Sequence, residues 1–229
     1  MRRPREVAMA GTEFELSLRS LYSPPLTAVR IDVPELGWLM VDGAGAPTED
    51  AAAPTTAFQQ AIGVLYPLAY TLKFMMKREL GVNPRVMPLE ALWDAGEAGI
   101  LDSSLAPAEW RWRAMIVQPP EVTPERFERA RDEVARKRPN ALLERVRFER
   151  WAEGPCVQIL HVGPYAAERP TIEALLAFAA AEGLAPRGPH HEIYLGDPRL
   201  AAPERLRTIL RQGVQPAGAR ALVPVGAAR

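Results

Sequence analysis

The sequence predicts an α+β fold made of two copies of one module. Two observations carry this. The order strand, strand, helix, strand, strand occurs twice, and three short segments recur in the same order. Met40-Val41-Asp42-Gly43 matches Leu160-His161-Val162-Gly163, and Leu89-Glu90-Ala91-Leu92 matches His191-Glu192-Ile193-Tyr194. Arg113 to Gln118 matches Arg207 to Gln212. Two modules with half-covered antiparallel sheets pack about a pseudo-twofold axis, and the groove between them is where a ligand fits.

Each element has a local reason. Residues 1–27 are a polar lead-in that ends in Tyr22-Ser23-Pro24-Pro25. Val29 to Val33 alternates as a strand does, Pro34 to Gly37 reads as a turn, and Trp38 to Val41 as a second strand. After a Pro/Thr/Ala linker, Ala57 to Leu80 repeats its apolar residues at three- and four-residue steps, which predicts a long helix stopped by Gly81. Arg85 to Trp93 and Trp110 to Val117 complete the first round, with a Gly/Ala/Ser segment between them. Thr123 caps the next helix and Pro124 starts it. Its charge and thin apolar content (Phe127, Ala130, Val134) suit a surface connector.

The second round follows. Val146 to Trp151 and Cys156 to Val162 are strands around a Glu153-Gly154 turn, and Pro170 to Gly183 is a helix with Ile172, Leu175, Leu176 and Phe178 inward. Glu192 to Leu195 and Arg205 to Arg211 are the last strands, and the tail from Gln215 is rich in Gly, Ala and Pro.

Composition narrows the function. Hydrophobic content of 48% and charged content of 24% are those of a globular protein. The formal net charge is +0, so nothing draws the chain to nucleic acid or to anionic membrane. Cys156 is the sole cysteine, which excludes an intrachain disulfide and suits a reducing cytoplasm. The basic Met1 to Glu6 stretch is followed by no apolar run, so neither a signal peptide nor a membrane span is expected.

The chemistry gathers at Pro189 to Pro198, where His190, His191, Glu192 and Tyr194 fall together. Period two puts Glu192 and Tyr194 on one strand face: either the polar floor of a pocket or the wet face of an ordinary sheet. The matched segments make Glu90 the counterpart of Glu192, a carboxylate pair across one groove or two surface carboxylates paired with arginines. Trp38, Trp93, Trp110 and Trp112 crowd the first module, as an aromatic wall for a flat or cationic ligand or as ordinary core. The three histidines lack any metal-ligand spacing, so no metal site is expected.

Val41 to Gly45, Pro88 to Trp93, Trp110-Arg111-Trp112, Ile116 to Pro119, His161-Val162-Gly163-Pro164-Tyr165, His190 to Pro198 and Thr208 to Gln212 together resemble the GyrI-like small-molecule-binding family, and more narrowly its stand-alone bacterial branch. The resemblance spans residues 28–214. It implies a single domain of tandem SHS2-type modules, 28–120 and 146–214, joined by a helical connector over 121–145, with 215–229 as a flexible tail. Relatives include effector-binding domains of multidrug-responsive regulators, where a central Glu and aromatic walls hold bulky compounds, and DNA gyrase inhibitors. The branch is similar to hydrolases that open the cyclopropane ring of cyclopropanoid DNA-alkylating antibiotics such as yatakemycin.

Carried onto this chain, the resemblance implies Glu192 as general base and Tyr194 or Tyr165 as donor to a developing phenolate. Trp93 and Trp112 sandwich a hydrophobic aromatic ligand, and Glu90, Trp110 and His191 complete its walls. No cofactor is implied. The alternatives are a non-catalytic multidrug-binding or sequestering protein and a gyrase-inhibitor-like interaction protein. No helix–turn–helix precedes the first strand, so a self-contained DNA-binding regulator is not expected. One departure stands out: Asp94 follows Trp93 where the branch leads one to expect a second Trp.

Overall fold

Val29–Ala44 (β1), Leu89–Asp94 (β2), Arg111–Gln118 (β3), Arg147–Val162 (β4), Leu184–Tyr194 (β5) and Arg207–Pro216 (β6) close into one antiparallel barrel. Around it the strands run β1-β3-β2-β5-β6-β4, so the first half of the chain supplies three consecutive strands and the second half the other three. The computed structural model describes residues 13–47, 55–94 and 109–218. The expected Pro/Thr/Ala linker and Gly/Ala/Ser segment lie largely outside the described residues, as do the ends of the lead-in and the tail.

The α+β class holds, but each half runs strand, helix, strand, strand. The two short strands expected to open each module are one long strand. Glu35, Leu36 and Gly37 were expected in a turn, yet they pair with Ala152, Trp151 and Arg150 of β4. Each half presents its intended turn to the other half, and antiparallel pairing satisfies the backbone groups that a turn would have closed. Pro34, which has no N–H to give, falls where the pairing skips a step, between Val33↔Gly154 and Glu35↔Ala152.

Among the described residues, three helices of more than two turns lie on the outside. Ala57–Leu80 (α1) starts at a capping box: Thr56 Oγ1 accepts from Gln59 N at 3.2 Å, and the Gln59 side chain accepts from Thr56 N at 2.9 Å. It ends at Gly81, whose φ of 71° needs a glycine. Its buried stripe from Phe58 to Met76 covers β1 and β3. Pro124–Lys137 (α2) is capped by Thr123 and buries only Phe127, Ala130 and Val134, the residues its sequence offered. Arg169–Ala181 (α3) packs Ile172, Leu175 and Ala179 on Val157, Ile159, Leu210 and Val214 of the second half. A fully buried leucine such as Leu175 contributes about 1.5–3 kcal/mol.

The inner side of the barrel holds Leu160, Ile193 and Ile209, with Tyr22 against them. The segment ahead of β1 is thus part of the core: Leu18 and Leu21 are buried, and the helical turn Arg19–Tyr22 delivers Tyr22 to the barrel.

Candidate functional site between the two halves

β2 and β5 are where the halves meet along the side of the barrel between α1 and α3. Their register puts Ala91 beside Glu192 and Trp93 beside His190, while β6 adds Leu210, Gln212 and Thr208 beside Glu192, His190 and Tyr194. Directly paired residues share a face. Leu210 lies under α3, so this whole row faces outward into the seam between the helices.

Aromatic rings fill that seam. Trp93 and Trp112 are cross-strand partners, and Phe58 from the first turn of α1 sits over both, with ring centroids 5.1 Å away in each case. Tyr194 lies 6.4 Å from Phe58, and Tyr165 meets it edge-on at 5.8 Å from the short turn ahead of α3. Trp110 stands edge-on to Trp93 at 5.9 Å. Trp93, Trp112 and Phe58 are buried, whereas Trp110, Tyr165 and Tyr194 keep an edge in solvent, which marks the mouth of the cluster. Trp112 lies across β1 only because residue 43 is glycine: a Cβ there would stand 2.2 Å from its ring. The indole N–H then donates to Gly45 O at 3.0 Å.

At the base of the cluster a chain of donors ends on Glu192. Trp93 Nε1 donates to Tyr194 Oη at 3.0 Å, and Tyr194 Oη donates to Glu192 Oε2 at 2.8 Å. Burial pushes the Glu192 carboxyl up to about 7, and the donors Tyr194 and Trp93 keep it from rising further. Burial, with the charge on His191, pulls His190 down to about 4, so it is neutral at pH 7. Its Nε2 is 3.9 Å from Glu192 Oε1. A carboxyl poised between its two states near neutrality, inside an aromatic enclosure, can accept a proton or hold a cation.

Glu90 does not join Glu192. It pairs with Ile193 rather than with Glu192, and so points into the barrel. The matched segments slipped by an odd number of residues, and with a side-chain period of two such a slip moves a residue to the opposite face. His191 points inward for the same reason. There it bridges two carboxylates, with Nδ1 2.9 Å from Glu153 Oε2 and Nε2 3.0 Å from Glu90 Oε2. Burial alone would lower its pKa, but Glu153 and Glu90 raise it on balance. Burial would likewise raise Glu153, yet His191 and Arg211 hold it at about 2. Arg211 also donates to Gln158 Oε1 and to Leu21 O, and Tyr22 donates to Glu90. Glu90, Glu153, His191 and Arg211 thus form one buried polar cluster inside the barrel.

A family model for the GyrI-like small-molecule-binding domain matches residues 118–211. Three solved structures from Listeria innocua are similar over 88% of this chain and 98% of their own. Two are described as hydrolases, at 35% and 37% identity with TM-scores of 0.74 and 0.75, and one as an uncharacterized conserved protein, at 36% and 0.76. The chain belongs to the GyrI-like small-molecule-binding family. A search of curated proteins found no match.

In this GyrI-like domain the structure brings together Glu192, Tyr194, Tyr165, Trp93, Trp110 and Trp112. It leaves Glu90 and His191 in the barrel interior. Asp94 closes β2 on an exposed position beside Arg111 of β3. Sequence reasoning missed Phe58, whose helical stripe reads as plain core, and His190, whose partner His191 drew it into a metal question. It also missed Glu153, Arg211, Gln158 and Tyr22. An Arg at the end of an alternating strand carries no signal that it will be buried.

Proposed function

We propose that this GyrI-like protein is a hydrolase that opens the strained cyclopropane ring of cyclopropanoid, electrophilic aromatic drugs, a detoxifying activity. One observation carries the reading: Glu192 is 5% exposed at the base of the aromatic cluster, where burial pushes its carboxyl up to about 7. In a spiro-cyclopropane dienone, water adds to the ring methylene and the bond from that carbon to the spiro centre breaks. The electron pair moves through the dienone to its oxygen, which becomes a phenolate and then a phenol. Glu192 takes the proton that the attacking water gives up. Tyr194 spends its hydroxyl hydrogen on Glu192 and so orients the base, and Tyr165, edge-on to Tyr194 at the mouth, is the phenol assigned to meet the phenolate. Trp93, Trp110 and Trp112 supply flat surface for the drug. The description of two similar structures as hydrolases agrees with this reading.

A second reading is binding without turnover, favoured by the same carboxylate among rings, an arrangement that suits a cationic aromatic compound. Incubation of wild type and Glu192→Gln with a spiro-cyclopropane dienone, read by mass spectrometry, separates the two. The hydrolase yields a product heavier by one water from wild type only. Binding with no product from either protein establishes the second reading instead.

A further inference from the structure

On the same strand face as Tyr194, on the other side of Glu192, stands a neutral, buried imidazole for which the mechanism above has no use. We propose that His190 and Glu192 together hold the hydrolytic water, with His190 Nε2 and Glu192 Oε1 each accepting one of its hydrogens. This rests on the hydrolase reading of the same site.

The geometry points there in three ways. The two atoms are 3.9 Å apart, too far for a direct hydrogen bond, and a water placed about 2.8 Å from each spans such a gap. His190 is 1% exposed and its Nε2 has no hydrogen-bond partner among the described residues, a costly state unless something in the groove meets it. The protein also builds a structure to aim this ring. β5 changes register between Pro186 and His190, and Gln212 ties that bulge down by donating to Arg187 O at 3.1 Å and Gly188 O at 3.3 Å. Gly213 permits the approach, since a Cβ there would stand 2.8 Å from Arg187 O. Gln212 is also the cross-strand partner of His190, and its side chain interacts with the imidazole.

The division of labour then follows. Tyr194 occupies Glu192 Oε2, which leaves Oε1 for the water. Two acceptors on the water's hydrogens leave its lone pairs facing the aromatic cluster, where the drug's methylene would lie. As the new C–O bond forms and the cyclopropane C–C bond breaks, one proton passes to Glu192. His190 keeps the other hydrogen bond throughout and takes no proton.

The test uses the full chain, with His190→Asn to shorten the acceptor and His190→Phe to keep the ring without nitrogen. Turnover of a spiro-cyclopropane dienone is measured with and without azide, a nucleophile that needs no proton removed. Drug binding is followed by tryptophan fluorescence. The expected result is hydration slowed about 100-fold in both variants, with drug affinity and the rate of azide adduct formation kept. Equal loss of hydration and azide addition, or unchanged hydration, overturns the proposal. If wild type hydrates nothing, the hydrolase reading fails by itself. The water is then decided by crystal structures: its presence between His190 and Glu192 in wild type and loss from His190→Phe is expected, and its absence from wild type overturns the pair.

Discussion

The hydroxyl of Tyr194 donates to Oε2 of Glu192 at 2.8 Å, although the two residues are only two apart on one strand. Strand neighbours on one face rarely need each other, and here the bond holds a charge where burial opposes it. Tyr194→Phe removes the donor and leaves the Trp93 N–H without its acceptor. A hydrogen bond to a charged group is worth about 1.5–3 kcal/mol, which corresponds to about one to two pH units. The pH at which activity is half-maximal should rise by that amount, as read from the pH–rate profile.

Glu192 should cost stability where it is ionised. Its folded pKa of about 7 stands above the ordinary 4.5, so its contribution is fully present below about 4.5 and is lost as pH rises through 7. Glu192→Gln should therefore be more stable than wild type at alkaline pH, by on the order of 3 kcal/mol at most, with the gain fading toward acid. Urea titrations at several pH values measure it. A constant difference at all pH values argues against a buried, titrating carboxyl.

The interior network has the opposite sign. Glu153 is held near 2, so its stabilisation is present above the ordinary 4.5 and is lost as pH falls toward 2. Arg211→Met breaks this buried cluster and should destabilise by about 3–5 kcal/mol. Arg199→Ala, at an ion pair whose arginine is 85% exposed, should stay within about 0.5 kcal/mol. Denaturant midpoints compare the two.

Gly43→Ala forces the Trp112 ring off β1. Overpacking of this kind costs about 1–3 kcal/mol, or roughly 2–4 °C in Tm for each of those kcal/mol. Thermal melts read the loss. The same variant should weaken quenching of tryptophan fluorescence by an aromatic ligand, because Trp112 lines the cluster.

The helices were legible to within a residue or two because capping, periodicity and stop signals agreed. Ala57–Leu80 and Pro124–Lys137 follow directly from the apolar period that Gly81 ends and from Thr123 and Pro124. The long strands were not, because Pro34 to Gly37 and Glu153-Gly154 carry turn chemistry that pairing between the halves overrides. Glu192, Tyr194 and the tryptophans were legible through local alternation and through the family resemblance. Glu90 was misplaced by a slip of one register position, which composition cannot detect. His190, Phe58 and Tyr22 come to their places only through the barrel's closure, a long-range event with no local signature.

The central claim is that Glu192, buried among aromatic rings, is the base that activates water. Its most direct test is the rate of spiro-cyclopropane dienone hydration against pH, for wild type and Glu192→Gln side by side. The account predicts a wild-type rate that climbs through a midpoint near 7 to a plateau, and a Glu192→Gln rate near the uncatalysed level at every pH. A wild-type rate that is flat across that range, or a Glu192→Gln protein that follows the wild-type curve, contradicts it.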